Sequence, residues 1–158
     1  MHIYCLYCET QRCKAIDEHI EERYKIKCIS PRIIQRKWVK GECLEQIHNW
    51  LPGYIFLYSE EELRPFFDIR GIRRWLNRED MKGNDLSFAQ MIYNCDGVMG
   101  IVSLAEVGDR CVVDDPLWAG MEGRVVKLDR GRKRCCIEFT FDGVVRTVWV
   151  GYEIVKKV

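Results

Sequence analysis

A chain of 158 residues is long enough for one large or two small domains. With 47% apolar and 31% charged residues and a net charge of +1, it is excluded from the disordered class, and whole-molecule electrostatics implies neither a nucleic-acid nor a membrane partner. No apolar run approaches the ~20 residues of a membrane span. The opening Met1-His2-Ile3-Tyr4-Cys5 lacks the basic region and apolar core of an export signal, so a cytoplasmic protein without membrane contact is expected.

In chain order, Ile3-Tyr4-Cys5-Leu6-Tyr7-Cys8 is apolar at every position, the pattern of a central strand covered on both faces. Cys13, Ile16, Ile20 and Tyr24 then recur at helical spacing, with Asp17, Glu18, Glu21 and Glu22 on what reads as a solvated face. Residues 25–39 are rich in Ile and Val, broken by Pro31 and closed by Lys40-Gly41, which predicts extended strands and a basic hairpin. After the Leu51-Pro52-Gly53 break, Tyr54-Ile55-Phe56-Leu57-Tyr58 is a second strand apolar on both faces, and alternation puts Tyr54, Phe56 and Tyr58 together. Two such strands exceed what the helices of so short a segment easily cover. An exposed apolar patch for a protein partner is therefore expected, with Tyr54 as its first contact. Ser87, with Gln90 three residues on and Leu86 and Met91 as a hydrophobic staple, predicts a helix start, and Cys95-Asp96-Gly97 its end. Strands interleaved with helices indicate an α+β domain over residues 1–97.

From residue 106 the pattern changes to short Val/Ile-rich runs at 110–113, 124–128, 135–141, 144–150 and 153–155, separated by Gly and Asp turns, with Asp142-Gly143 the strongest hairpin signal. Five short strands predict a small β-barrel over 106–158, and its β-branched residues and turn glycines favour strands over helix. Residues 98–105 read as a linker that is too apolar to be free and should pack on a domain or a partner.

Nine cysteines, an odd number without an export signal, read as reduced thiols. Cys5 and Cys8 form a C-x-x-C, but no second pair accompanies it and a strand would point the two to opposite faces, so no metal site is expected. No phosphate-loop, dinucleotide, nucleophile-elbow or zinc-protease motif is present, and His2, His19 and His48 lie in unrelated segments; neither an enzyme nor a cofactor is expected. The cations are clustered: Arg32, Arg36, Lys37 and Lys40; then Arg70, Arg73, Arg74 and Arg78; then, most densely, Arg124, Lys127, Arg130, Arg132, Lys133 and Arg134 against a single Asp129. The tip Arg130-Gly131-Arg132-Lys133-Arg134, with no acid to neutralise it, is either a solubilising turn or a phosphate-binding one. Trp118 and Met121, in a Gly-bounded loop, either pack inward or anchor a partner.

Val107-Gly108-Asp109-Arg110 followed by Pro116-Leu117-Trp118-Ala119-Gly120-Met121-Glu122-Gly123-Arg124-Val125-Val126 resembles the KOW motif. Leu51-Pro52-Gly53-Tyr54-Ile55-Phe56, with the opening strand Ile3-Tyr4-Cys5-Leu6-Tyr7, resembles the N-terminal domain of NusG-type transcription elongation factors. Ile3-Tyr4 stands for the usual Trp-Tyr and Leu51 for the Phe before Pro-Gly; both keep apolar bulk. The two motifs occur in the family's order and span nearly the whole chain, and residues 109–123 with the basic tip are most similar to LoaP-type specialised paralogues.

That resemblance implies an N-terminal antiparallel sheet flanked by helices, then a five-stranded SH3-like barrel. It implies a monomeric antitermination factor that docks on the clamp helices of the largest RNA polymerase subunit through Tyr4, Pro52, Gly53, Tyr54 and Phe56. It further implies that Arg124, Lys127, Arg130, Arg132, Lys133 and Arg134 hold a hairpin of the nascent leader RNA. An A-form stem offers mainly phosphates, 2′-hydroxyls and shape to such a loop. Trp118, with Met121, matches the loop through which ordinary members bind termination factor Rho or a ribosomal protein, and non-template DNA is a further candidate contact. The alternatives are a general elongation factor acting with Rho or the ribosome, and a KOW-type RNA-binding module that never touches polymerase.

Overall fold

The structure, a computed structural model, describes residues 1–65, 68–76 and 79–158, so Arg78 of the second cationic cluster lies outside the described residues. Strand β1 (His2–Cys8) pairs antiparallel with β5 (Tyr54–Ser59), from His2 opposite Ser59 to Tyr7 opposite Tyr54. With β2 (Lys27–Ile29) and β6 (Ile72–Trp75) they form a sheet of order β2-β5-β1-β6. Every residue of β5 is buried, as its unbroken apolar run requires. Because side chains alternate, Ile3, Cys5, Tyr54, Phe56 and Tyr58 enter one core while Tyr4, Leu6, Cys8, Ile55 and Leu57 enter another.

Helix α1 (Cys13–Tyr24) closes the second core with Ile16 and Ile20, at the predicted spacing. Its acidic side is not wholly solvated. Asp17 is half-buried beside Glu21 and Cys28, one of its oxygens has no hydrogen-bond partner among the described residues, and burial, then the Glu21 charge, pushes its carboxyl up to about 6. The folded chain therefore keeps a proton that the unfolded chain releases at about pH 4, and stability falls as pH rises from about 4 to about 6. Asp17→Asn is expected to stabilise the protein at pH 7 and to leave it unchanged below pH 4, read by urea unfolding at both; equal stability of the two proteins at pH 7 would show that Asp17 carries no burial penalty.

Strands β3 (Arg32–Val39) and β4 (Glu42–Asn49) form the expected hairpin, turning at Lys40-Gly41, and β7 (Val98–Met99) runs parallel beside Arg32 and Ile33. Helix α2 (Gly83–Asn94) begins four residues earlier than the Ser87 cap that the sequence suggests. Its first turn carries Asp85, whose negative charge suits a helix N-terminus. Ser87 instead sits inside the helix against Gly120. The end is as predicted, with Cys95 as the C-cap and the Gly97 N–H donating to the Ile92 carbonyl at 2.9 Å.

Residues 98–105, read as a linker, are strand for most of their length: β7, then the start of β8 (Val102–Val107). Met99, Val102 and Leu104 are fully buried, which accounts for their apolar character. The C-terminal half continues with β9 (Arg110–Val113), β10 (Arg124–Asp129), β11 (Arg134–Phe141) and β12 (Val144–Lys157), the last fusing two predicted strands into one. The sheet runs β10-β11-β12-β8-β9, with β8 parallel to β12, and curls until its edges β9 and β10 approach each other. The molecule is thus mixed α+β, mostly strand, with two α-helices among the described residues and none long and apolar enough to cross a membrane.

The halves share one core. Phe88 of α2 lies between Phe56 and Phe139, stacked on Phe139 at 5.6 Å between ring centres and 7° between planes, with Phe141 and Trp50 at 4.9 Å. Trp118 packs 6.2 Å from Trp50. The apolar patch expected to be open at Tyr54 is therefore covered: the layer that the N-terminal helices could not supply is the C-terminal sheet itself.

Candidate nucleic-acid interface

The β10–β11 turn projects the basic tip. The Asp129 carboxylate shapes it, accepting the Arg132 N–H at 3.1 Å, while Lys133 adopts a left-handed conformation (φ 50°). Acids absent from the local sequence come from neighbouring strands: Arg130 pairs with Glu106 of β8 at 3.0 Å and Arg124 with Glu138 of β11 at 3.0 Å, while Arg134 pairs with Asp129 at 3.4 Å. The Arg130 hydrogen bond holds the Glu106 carboxyl below its ordinary range. The expectation of an unneutralised tip is corrected accordingly. Lys127, Arg132 and Lys133 are the exposed members of the set that form no ion pair among the described residues.

The basic hairpin meets this tip. Trp38 Nε1 donates to the Arg132 carbonyl at 3.3 Å, and Gln35 Nε2 to the Trp149 carbonyl at 3.1 Å. The Arg134 guanidinium lies 4.8 Å above the Trp149 ring. Arg36 lies along Gly151, where a Cβ would stand 3.3 Å from its Nε, so the missing side chain of Gly151 makes room for it. A shallow pocket is lined by Gln35, Arg36, Arg134, Trp149, Val150 and Gly151. Arg36 of the first cationic cluster and Arg134 of the third, about a hundred residues apart in sequence, thus line one pocket, which no local pattern announces.

The residues that the resemblance assigns to polymerase docking are not brought to one surface. Tyr4 is buried in the α1-side core, where its hydroxyl accepts the Leu63 N–H at 3.1 Å, on the opposite sheet face from Tyr54 and Phe56. Phe56 and Gly53 are buried and only Pro52 is exposed. On the Tyr54 side the β1 aromatic is Tyr7, 4.9 Å from the Tyr54 ring, a residue that strand alternation identifies. Tyr54 is 7% exposed; its hydroxyl donates to Asp142 at 2.9 Å and accepts from Arg146 at 3.1 Å. Asp142 also pairs with Arg74, and its N–H donates to Asp85 of α2 at 3.0 Å. Asp142 thereby ties the C-terminal sheet to the N-terminal half. The sequence shows the Asp142-Gly143 turn but not this use of its charge.

Trp118 packs inward, 2% exposed, in a recess that exists because Gly123 has no side chain: a Cβ there would come within 2.9 Å of the indole. Its Nε1 is buried without a hydrogen-bond partner among the described residues, and Met121 is half-buried against the same core. Of the nine free cysteines Cys43 is the exposed one, and burial raises the thiols of Cys5, Cys8, Cys28 and Cys135. Cys5 and Cys8 point into opposite cores, as alternation predicts. Asp17, Glu21 and Cys28 bring ligand atoms within 4.8 Å of one another, but burial holds the Cys28 thiol in its protonated form. Compared with models of known protein families the chain matches none, and no curated protein matches it.

Proposed function

We propose that the chain is a specialised NusG-like antitermination factor that docks on RNA polymerase through an NGN-type N-terminal half and holds a hairpin of the nascent leader RNA on its KOW-type C-terminal half. The observation that carries the reading is the projecting tip, where the exposed Arg132 and Lys133 side chains form no ion pair among the described residues, on a sheet packed against an aromatic face. Exposed cations on one turn suit several phosphates and the release of their counterions. On this reading the docking face lies around Tyr7, Tyr54 and Phe56, and because the C-terminal sheet covers it, docking requires the halves to part.

Asp142→Asn tests this. Asn tolerates the left-handed turn (φ 53°) and removes the charge held by Arg74 and Tyr54. The tie should weaken by about 1–2 kcal/mol, because a charged hydrogen bond is lost while the Arg74 partner is half-exposed. More of the variant than of the wild type should be retained on immobilised core RNA polymerase. The burial of Tyr54 and Phe56 favours one rival, an RNA-binding module that never touches polymerase, which predicts no retention of either protein with RNA binding intact.

A further inference from the structure

We propose that Trp38 is a stacking platform for an unpaired nucleotide beside an RNA stem whose phosphates lie on Arg132 and Lys133. The inference rests on the RNA-binding reading and extends it to the other half of the chain. Trp38 sits near the end of β3, in a hairpin whose β4 partner strand is exposed throughout, yet its indole is not loose: Nε1 donates to the Arg132 carbonyl at the base of the tip. A tryptophan whose polar edge is fixed and which remains 42% exposed presents a large, oriented aromatic surface at little further entropic cost.

Its neighbourhood is cationic. Arg36 lies along Gly151 and Arg134 covers Trp149, and alternation along β3 puts Arg36 on the same strand face as Trp38. Glu45 stands opposite Arg36 and Glu42 opposite Val39 across the hairpin, and neither forms an ion pair among the described residues. Aromatic surface flanked by arginine and lysine is the chemistry that holds single-stranded nucleotides: bases stack and the backbone follows the charge. A stem on the tip would carry its unpaired flank directly over Trp38, because the indole and Arg132 are already in hydrogen-bond contact.

Fluorescence anisotropy of the full chain with two labelled RNAs of the same stem, one blunt and one with short unpaired tails, tests this. Wild type should bind the tailed RNA about tenfold more tightly than the blunt one. Trp38→Leu should abolish that preference beyond any equal loss on both RNAs from the missing Arg132 contact, while Trp38→Phe, which lacks the same contact, should keep part of it. Equal weakening on both RNAs would mean that Trp38 merely positions the tip, and no weakening on either would mean that it is an inert surface residue. Each of these overturns the proposal while leaving the RNA-binding reading intact. If Arg132→Ala/Lys133→Ala instead leaves both RNAs bound as in wild type, or if wild type binds neither, the RNA-binding reading fails and the platform fails with it.

Discussion

Phe88→Ala is expected to destabilise the protein by about 3–5 kcal/mol, the range for removing a large aromatic from a packed core, and to do so in both halves at once. The ring is fully buried and touches Phe56 from the N-terminal sheet and Phe139 and Phe141 from the C-terminal sheet, so its loss opens a cavity where the two share their packing. Urea unfolding followed separately by far-ultraviolet circular dichroism and by tryptophan fluorescence should give coincident transitions for the wild type and a lower shared midpoint for the variant. Two separated transitions, with the C-terminal strands surviving unchanged in the variant, would show that the core shared around Phe88 contributes little.

The second large effect concerns RNA. Arg132→Ala/Lys133→Ala is expected to flatten the dependence of log affinity on log salt by about 1.4–1.8, two phosphate contacts at ~0.7–0.9 each, and to leave the unfolding midpoint within experimental error because both side chains are exposed. The sequence suggests a larger loss, since four cations stand in the tip. Glu106 and Asp129 already engage Arg130 and Arg134, so those two must exchange an internal pair for a phosphate and gain less. Titration of a leader-type hairpin at several potassium chloride concentrations reads the slope. An unchanged slope in the folded variant would make the tip a solubilising turn.

What the sequence discloses follows from the range of the forces involved. The strands at Ile3 and Tyr54, the α1 spacing of Ile16 and Ile20, and the Asp142-Gly143 turn are local patterns and appear where expected. Ser87 misled because a capping pattern also fits a mid-helix serine, and the turn before it was stabilised by Asp85, which serves a partner fifty-seven residues away. The linker reading failed to specify strands because β7 and β8 pair with β3 and β12, contacts that no local periodicity records. For the candidate interface the cations were legible, but their acids, the Trp38 contact and the tie at Asp142 arise only when distant strands meet. The motif groups Tyr4 with Tyr54, although strand alternation gives that side to Tyr7.

The central claim is best tested by transcription in vitro with core polymerase and its initiation factor, on a template that encodes a structured leader upstream of an intrinsic terminator. The account predicts that the wild-type chain raises readthrough, that Arg132→Ala/Lys133→Ala loses the effect, and that Asp142→Asn reaches it at lower protein concentration. Termination unchanged by saturating wild-type protein, on a leader that the protein demonstrably binds, would contradict the account and leave an RNA-binding module with no role at the polymerase.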